Sequence, residues 1–145
     1  MKALGELHST LRTPEQTDFG YFFADNFFFL WNRALRTIVA ERTDNIGDTA
    51  GLFALAYLAE SDAGITAWDS KKHYVFWRPV TAIQQGDDDG NPRTAGDPDW
   101  KPLINTPNYP DYTSGANNVT GAVTRIRQLL FGKDKLRLSL TSREK

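Results

Sequence analysis

Residues 68–79 read WDSKKHYVFWRP, and two cations in this stretch, Lys71 and Arg78, stand seven positions apart. On one continuous helix that spacing puts them on a common face. Pro79 works against continuity, because it disfavours helical geometry at Arg78 and so ends or restarts the helix there. Trp68 lies three residues before Lys71, and Phe76 and Trp77 immediately precede Arg78. Both cations therefore sit beside aromatic surface rather than among other charges. A lysine and an arginine at helical spacing are, taken alone, more often a solvated face than a site. Beside aromatic surface an unpaired cation is costly, so a partner is expected, either a bound anion or a carboxylate such as Asp69 or an aspartate of a loop.

Farther along, residues 109–120 read YPDYTSGANNVT. Thr-Ser-Gly before an amphipathic run is a common helix cap. It also offers the Ser114 hydroxyl and the unobstructed Gly115 N–H at a helix end that carries about +0.5 charge. Fixed cations facing such a tip are what a tetrahedral oxyanion needs, an arginine gripping two oxygens and a lysine acting as a point charge. The expected cradle is Lys71, Arg78, Ser114 and Gly115.

Working outward, the chain reads as helices joined by polar turns. Residues 1–12 form an irregular lead-in. Thr13 is placed to cap a helix with Pro14 at its first position and Gln16 closing a capping box. That helix should reach Asp25 and bury Phe19, Tyr21, Phe22 and Phe23. A second helix, 26–41, presents Phe29, Leu30, Ala34, Ile38 and Val39 at three- and four-residue spacings, leaving Arg33, Arg36 and Glu41 mostly toward solvent. A long helix is expected from an N-cap at Asp48 to Tyr74. Its apolar positions Leu52, Leu55, Ala56, Ala59, Ile65 and Trp68 drift around one side, as suits burial between other helices. A short helix follows over 79–85. Residues 86–115 are rich in Gly, Pro, Asp and Asn and read as a long loop held down by Trp100, Leu103, Ile104 and Tyr109. A last helix runs from Ser114 to Phe131, with Gly132 as its C-cap. The tail, 133–145, shows a short alternating apolar pattern. The fold class is all-α, a bundle of about five helices.

Composition narrows the function classes. A chain of 145 residues with a net charge of −1 is one domain with no global field for nucleic acid or an anionic membrane, so any anion site must be local. The absence of cysteine removes disulfides and thiolate metal sites. The start, MKALGELHSTL, has no apolar core of a secretion signal, and no apolar run approaches the ~18 residues of a membrane span. The expectation is a soluble chain, cytoplasmic by default. Asp69 and His73 are too few ligands for a metal site.

WDSKKHYVFWRPVTAI and TPNYPDYTSGANN resemble the vanadium-dependent haloperoxidase and type 2 phosphatidic acid phosphatase superfamily, and RTPEQTD and ALAYLAESDAGITAWDSK resemble its soluble, haloperoxidase-like branch. The resemblance spans nearly the whole chain. It implies an α-helical bundle that binds phosphate or vanadate through three separated motifs. Lys71 and Arg78 resemble the cationic ligands of the first motif, and Ser114 and Gly115 the hydroxyl and backbone donors of the second. Trp68 would line the pocket. The second motif of the family usually continues Ser-Gly-His, the histidine serving as acid–base group; here that position is Ala116. The third motif, an arginine and the histidine that attacks phosphorus or bonds vanadium, has no counterpart before Lys145. The expectation is a partial haloperoxidase/acid-phosphatase-like domain over residues 1–145, part of a larger bundle.

No residue present substitutes for the missing histidines. His8 precedes the first helix, and His73, two positions from Lys71, points roughly 200° away from it on a helix. Asn117 and Asn118 can hydrogen-bond an oxyanion but cannot move a proton at neutral pH. Three readings follow: an oxyanion-binding domain that is catalytically incomplete by itself, a non-catalytic helical module that self-associates through the aromatic stretch 27–31, and an enzyme completed by another chain carrying the third motif.

Overall fold

The computed structural model describes residues 1–132 and 138–140. It is helical, with no strand among the described residues. The elements are α1 (Lys2–Gly5), α2 (Pro14–Ala24), α3 (Phe27–Arg42), α4 (Ile46–Tyr74), α5 (Pro79–Gln84) and α6 (Gly115–Phe131), with a 3-10 turn at Gly86–Asp88. None of these helices is long and apolar enough to cross a membrane.

Local capping chemistry sets most boundaries. Thr13 Oγ1 accepts from the Gln16 N–H at 3.2 Å while Gln16 Oε1 accepts from the Thr13 N–H at 3.0 Å, the reciprocal capping box that starts α2. Asn26 caps α3 through the Phe28 N–H at 3.0 Å. The long helix starts earlier than expected. Asn45 Oδ1, not Asp48, accepts from the N–H groups of Gly47 (2.7 Å) and Asp48 (3.2 Å), which leaves Asp48 inside the first turn, where its charge suits the helix dipole. Ser114 caps α6 through the Asn117 N–H at 3.3 Å, and Gly132, at φ +62°, ends it in the left-handed conformation.

α4 and α6 form the principal helix pair, with α3 against both. Leu35, Ile38, Leu52, Ala56, Val119 and Val123 make the buried core, flanked by Phe27, Trp31, Phe53, Ile126 and Leu138. Trp31 Nε1 also donates to Thr120 Oγ1 at 3.0 Å, tying α3 to α6. α2 buries none of its residues: Phe19 and Phe23 are exposed and Tyr21 and Phe22 only half-buried, and Phe29 on α3 and Leu55, Ile65 and Trp68 on α4 are exposed as well. Periodicity marks an apolar stripe, but the core forms only where a second helix covers it. Asp25 is buried and pairs with Arg33 at 2.6 Å, so Arg33 is not a solvent-side residue.

The lead-in and the long loop organise each other. Trp100 is buried, its Nε1 donating to the Lys2 carbonyl at 3.1 Å. Leu7 N–H donates to Lys101 O at 2.8 Å, and Leu103 N–H to Gly5 O at 2.9 Å. Arg12 braces the lead-in from inside, its guanidinium donating to the carbonyls of Leu4 (2.7 Å) and Glu6 (2.6 Å). Residues 1–12 are thus the clasp that holds 100–103, rather than an irregular approach to the first helix.

Candidate functional site

α4 ends at Tyr74, where Val75 adopts φ +45° and turns the chain away from the helix. Arg78 is extended (φ −83°, ψ 156°), as its place before Pro79 demands, and occupies the position before α5 with no side-chain capping bond. Lys71 and Arg78 therefore do not share a helical face. They are brought together by what they reach for. Lys71, only 4% exposed, donates from Nζ to the Pro110 carbonyl at 2.9 Å and to the Asp111 carbonyl. Arg78 donates from Nε to the Tyr109 carbonyl at 2.7 Å, and its Nη1 lies 3.8 Å from Asp111 Oδ1. The Tyr109 ring lies beside both cations, its centroid 5.3 Å from Lys71 Nζ and 4.6 Å from the Arg78 guanidinium carbon. The Asp111 N–H returns to the Phe76 carbonyl at 2.9 Å, so the connection after α4 and the 109–111 segment are stitched in both directions.

This segment leads directly into α6. Ser114 is the N-cap and Gly115 the first helical residue, and Trp68 bridges the two halves: its ring centroid is 5.4 Å from that of Tyr109, and its ring packs on Gly115. A Cβ built at Gly115 would lie 3.0 Å from Trp68 Cζ3 and 3.9 Å from Phe27 Cζ, so glycine is what lets the indole approach the helix tip. The Ser114 hydroxyl uses acceptor capacity in capping and keeps its proton to donate. The first N–H groups of α6 have no acceptor within the helix. Lys71 keeps one of its three donors beyond the two carbonyls, and the terminal nitrogens of Arg78 keep most of theirs.

Electrostatics here are finely set. Burial lowers the Lys71 pKa from its ordinary value, the Arg78 charge lowers it further, and Asp111 acts the other way. Asp111 is the loop aspartate that an internal ion pair calls for, while Asp69 forms no ion pair with either cation among the described residues. The partners Tyr109, Pro110 and Asp111 act mainly through backbone carbonyls, which no side-chain pattern announces. Ala116 is exposed at the second position of α6; His8 and His73 are exposed as well, and His73 packs on Tyr74.

The fold and this grouping define an all-α bundle in which a buried lysine and a neighbouring arginine are gathered against the segment that opens a second helix. The chain belongs to the family described as the VCPO second helical-bundle domain, whose model matches residues 51–145. It is similar to the vanadium chloroperoxidase of Curvularia inaequalis, with 36% identity over 146 aligned positions. The similarity takes in 83% of this chain and 23% of that protein, so the chain spans under a quarter of its relative's length. No solved structure matches the chain.

Proposed function

We propose that this chain is a haloperoxidase-like helical domain that binds a phosphate or vanadate oxyanion between Lys71, Arg78 and the tip of α6. The observation that carries this reading is the common anchoring of both cations on residues 109–111, immediately before Ser114 and Gly115, with Trp68 in contact with both parts. In this reading the spare donors of Lys71 and Arg78, the Ser114 hydroxyl and the Gly115 N–H surround the anion, and Trp68 walls the pocket. The donor set fits a tetrahedral oxyanion, being made wholly of N–H and O–H groups with two positive charges.

Bound vanadate would supply the halide-oxidising chemistry named in the relative; the residues of this chain would hold it and offset its charge. Proton transfer is the step this site lacks, because Ala116 has no proton to give. Binding without appreciable turnover by this chain alone is therefore the proposed behaviour. Titration calorimetry with phosphate and with vanadate, on the wild type and Arg78→Ala, tests it. Arg78→Ala should weaken binding by about tenfold or more; equal affinities would remove the cradle.

A second reading, self-association, is favoured by the exposure of Phe29, Leu58 and Ile65. Light scattering that shows a monomer at high concentration would exclude it.

A further inference from the structure

A second buried charge lies on α4, away from the oxyanion site. Glu60 is 3% exposed, and its Oε1 is buried with no hydrogen-bond partner among the described residues. It lines a cleft between α3 and α4 whose other walls are Phe28, Phe29, Asn32, Tyr57 and Ser61. Among the described lining residues Glu60 is the one acid, and none is basic. Gly64, one turn on, lies near the Phe28 ring, whose Cζ would be in ordinary contact, at 3.9 Å, with a Cβ there. The Asn32 amide donates to the Tyr57 hydroxyl, tying α3 to α4 along one side of the cleft. Burial pushes the Glu60 carboxyl up to about 7, which shows how poorly its charge is compensated.

A buried carboxylate with an unpaired oxygen, bordered by three aromatic rings, is complementary to a cation that is also planar. We propose that this cleft receives an arginine side chain from another polypeptide segment, with Glu60 as its counter-ion and Phe28, Phe29 and Tyr57 as its walls. A guanidinium is planar and weakly hydrated, stacks on aromatic faces and forks onto a carboxylate, so it loses less on burial than an ammonium does. The surroundings favour a peptide over a free cation. Leu58 and Ile65 are well exposed and share the α4 face with Ser61 at three- and four-residue spacings, and Phe29 is exposed at the rim. An arginine flanked by apolar residues matches both the charge and the rim.

The test uses the full chain at pH 8 and the peptide acetyl-Leu-Arg-Leu-amide, with acetyl-Leu-norleucine-Leu-amide as its uncharged counterpart, titrated by amide NMR shifts. The arginine peptide should saturate at resonances of residues 57–61, and the norleucine peptide should bind at least about tenfold more weakly. Glu60→Gln keeps the side chain's shape and should weaken the arginine peptide by at least about tenfold. Equal binding of the two peptides to the wild type, equal binding of the arginine peptide to Glu60→Gln, or no saturable binding would each overturn the proposal. Should Glu60→Gln fail to fold, the two-peptide comparison on the wild type remains decisive.

Discussion

Lys71 and Glu60 lie on the same helix, eleven residues and roughly 16 Å apart at about 1.5 Å per residue. Both are almost fully buried. The lysine is answered by two backbone carbonyls and a nearby aromatic face, and the glutamate leaves one oxygen unanswered. Burial opposes the charged form of each, lowering one pKa and raising the other. The difference lies in their surroundings. At the C-terminal end of α4 the chain doubles back and lays a carbonyl-rich segment over the cation. Around Glu60 the cleft is lined by three rings, the Asn32 amide that donates to Tyr57, and Ser61. A buried charge with built-in partners ties together the segments that supply them, while one without them is driven toward its neutral form unless a partner arrives from outside.

The largest expected effect tests the first half of that contrast. Lys71→Met keeps the aliphatic stem but withdraws the donor from the Pro110 and Asp111 carbonyls. Urea denaturation should show a loss of about 2 kcal/mol, as for a part-buried hydrogen bond to a charged group. The exposed neighbour Lys72, changed to Met, should move stability by no more than about 0.5 kcal/mol. Equal effects at the two positions would mean that the carbonyl contacts contribute nothing to stability.

Glu60 predicts a smaller effect of characteristic sign. Its carboxyl goes from an ordinary 4.5 to about 7 on folding, so between those values the folded chain holds more protons than the unfolded one. Stability contributed by this group must therefore fall as pH rises through that window, the penalty being complete above 7 and gone below 4.5. After allowance for solvent screening the swing should be about 1–2 kcal/mol. Thermal melts from pH 5 to pH 8 should show it in the wild type and not in Glu60→Gln. Lys71 gives the mirror image: its penalty is relieved as pH rises toward 10.5. A wild type and a Glu60→Gln variant with the same pH slope would place the carboxylate in a wetter setting than its burial indicates.

The two regions were not equally legible in the sequence, and the reason is range. Thr13-Pro14-Glu15-Gln16 specifies its cap within four residues, and Ser114 and Gly132 bracket α6 by equally local rules. The helical class and the likeness of residues 68–79 and 109–120 to a haloperoxidase follow from patterns of that kind. The partners of Lys71 and Arg78 lie 39 and 31 residues away and use carbonyl oxygens, which every residue possesses. Local spacing suggested a shared helical face, whereas Val75 and Pro79 break the helix and the loop does the gathering. Glu60, within AYLAESDAG, has nothing in its immediate sequence to set it apart from an ordinary solvated glutamate. The cleft it lines is shared with Phe28 and Phe29, more than thirty residues upstream. The same limit explains α2, where Phe19 and Phe23 look like core positions and are exposed. The alternating pattern of the tail falls largely outside the described residues.

The smallest expected effect bears on whether the answered charge is also an anion site. Asp111 lies 3.8 Å from Arg78 and is partly exposed, so its charge competes with any oxyanion for the guanidinium. At such a surface the competition amounts to about 0.5 kcal/mol, or roughly twofold in affinity. Asp111→Asn preserves the backbone carbonyl that Lys71 uses and removes only the charge. Phosphate should then bind about twofold more tightly, with the gain largest at low ionic strength and fading toward 1 M salt, where the screening length shrinks to about 3 Å. Because the change leaves every carbonyl contact in place, stability should stay within about 0.5 kcal/mol of the wild type. A tighter anion at unchanged stability would separate binding by the cationic pair from its structural role; weaker phosphate binding would mean that Asp111 orients Arg78 rather than competing for it.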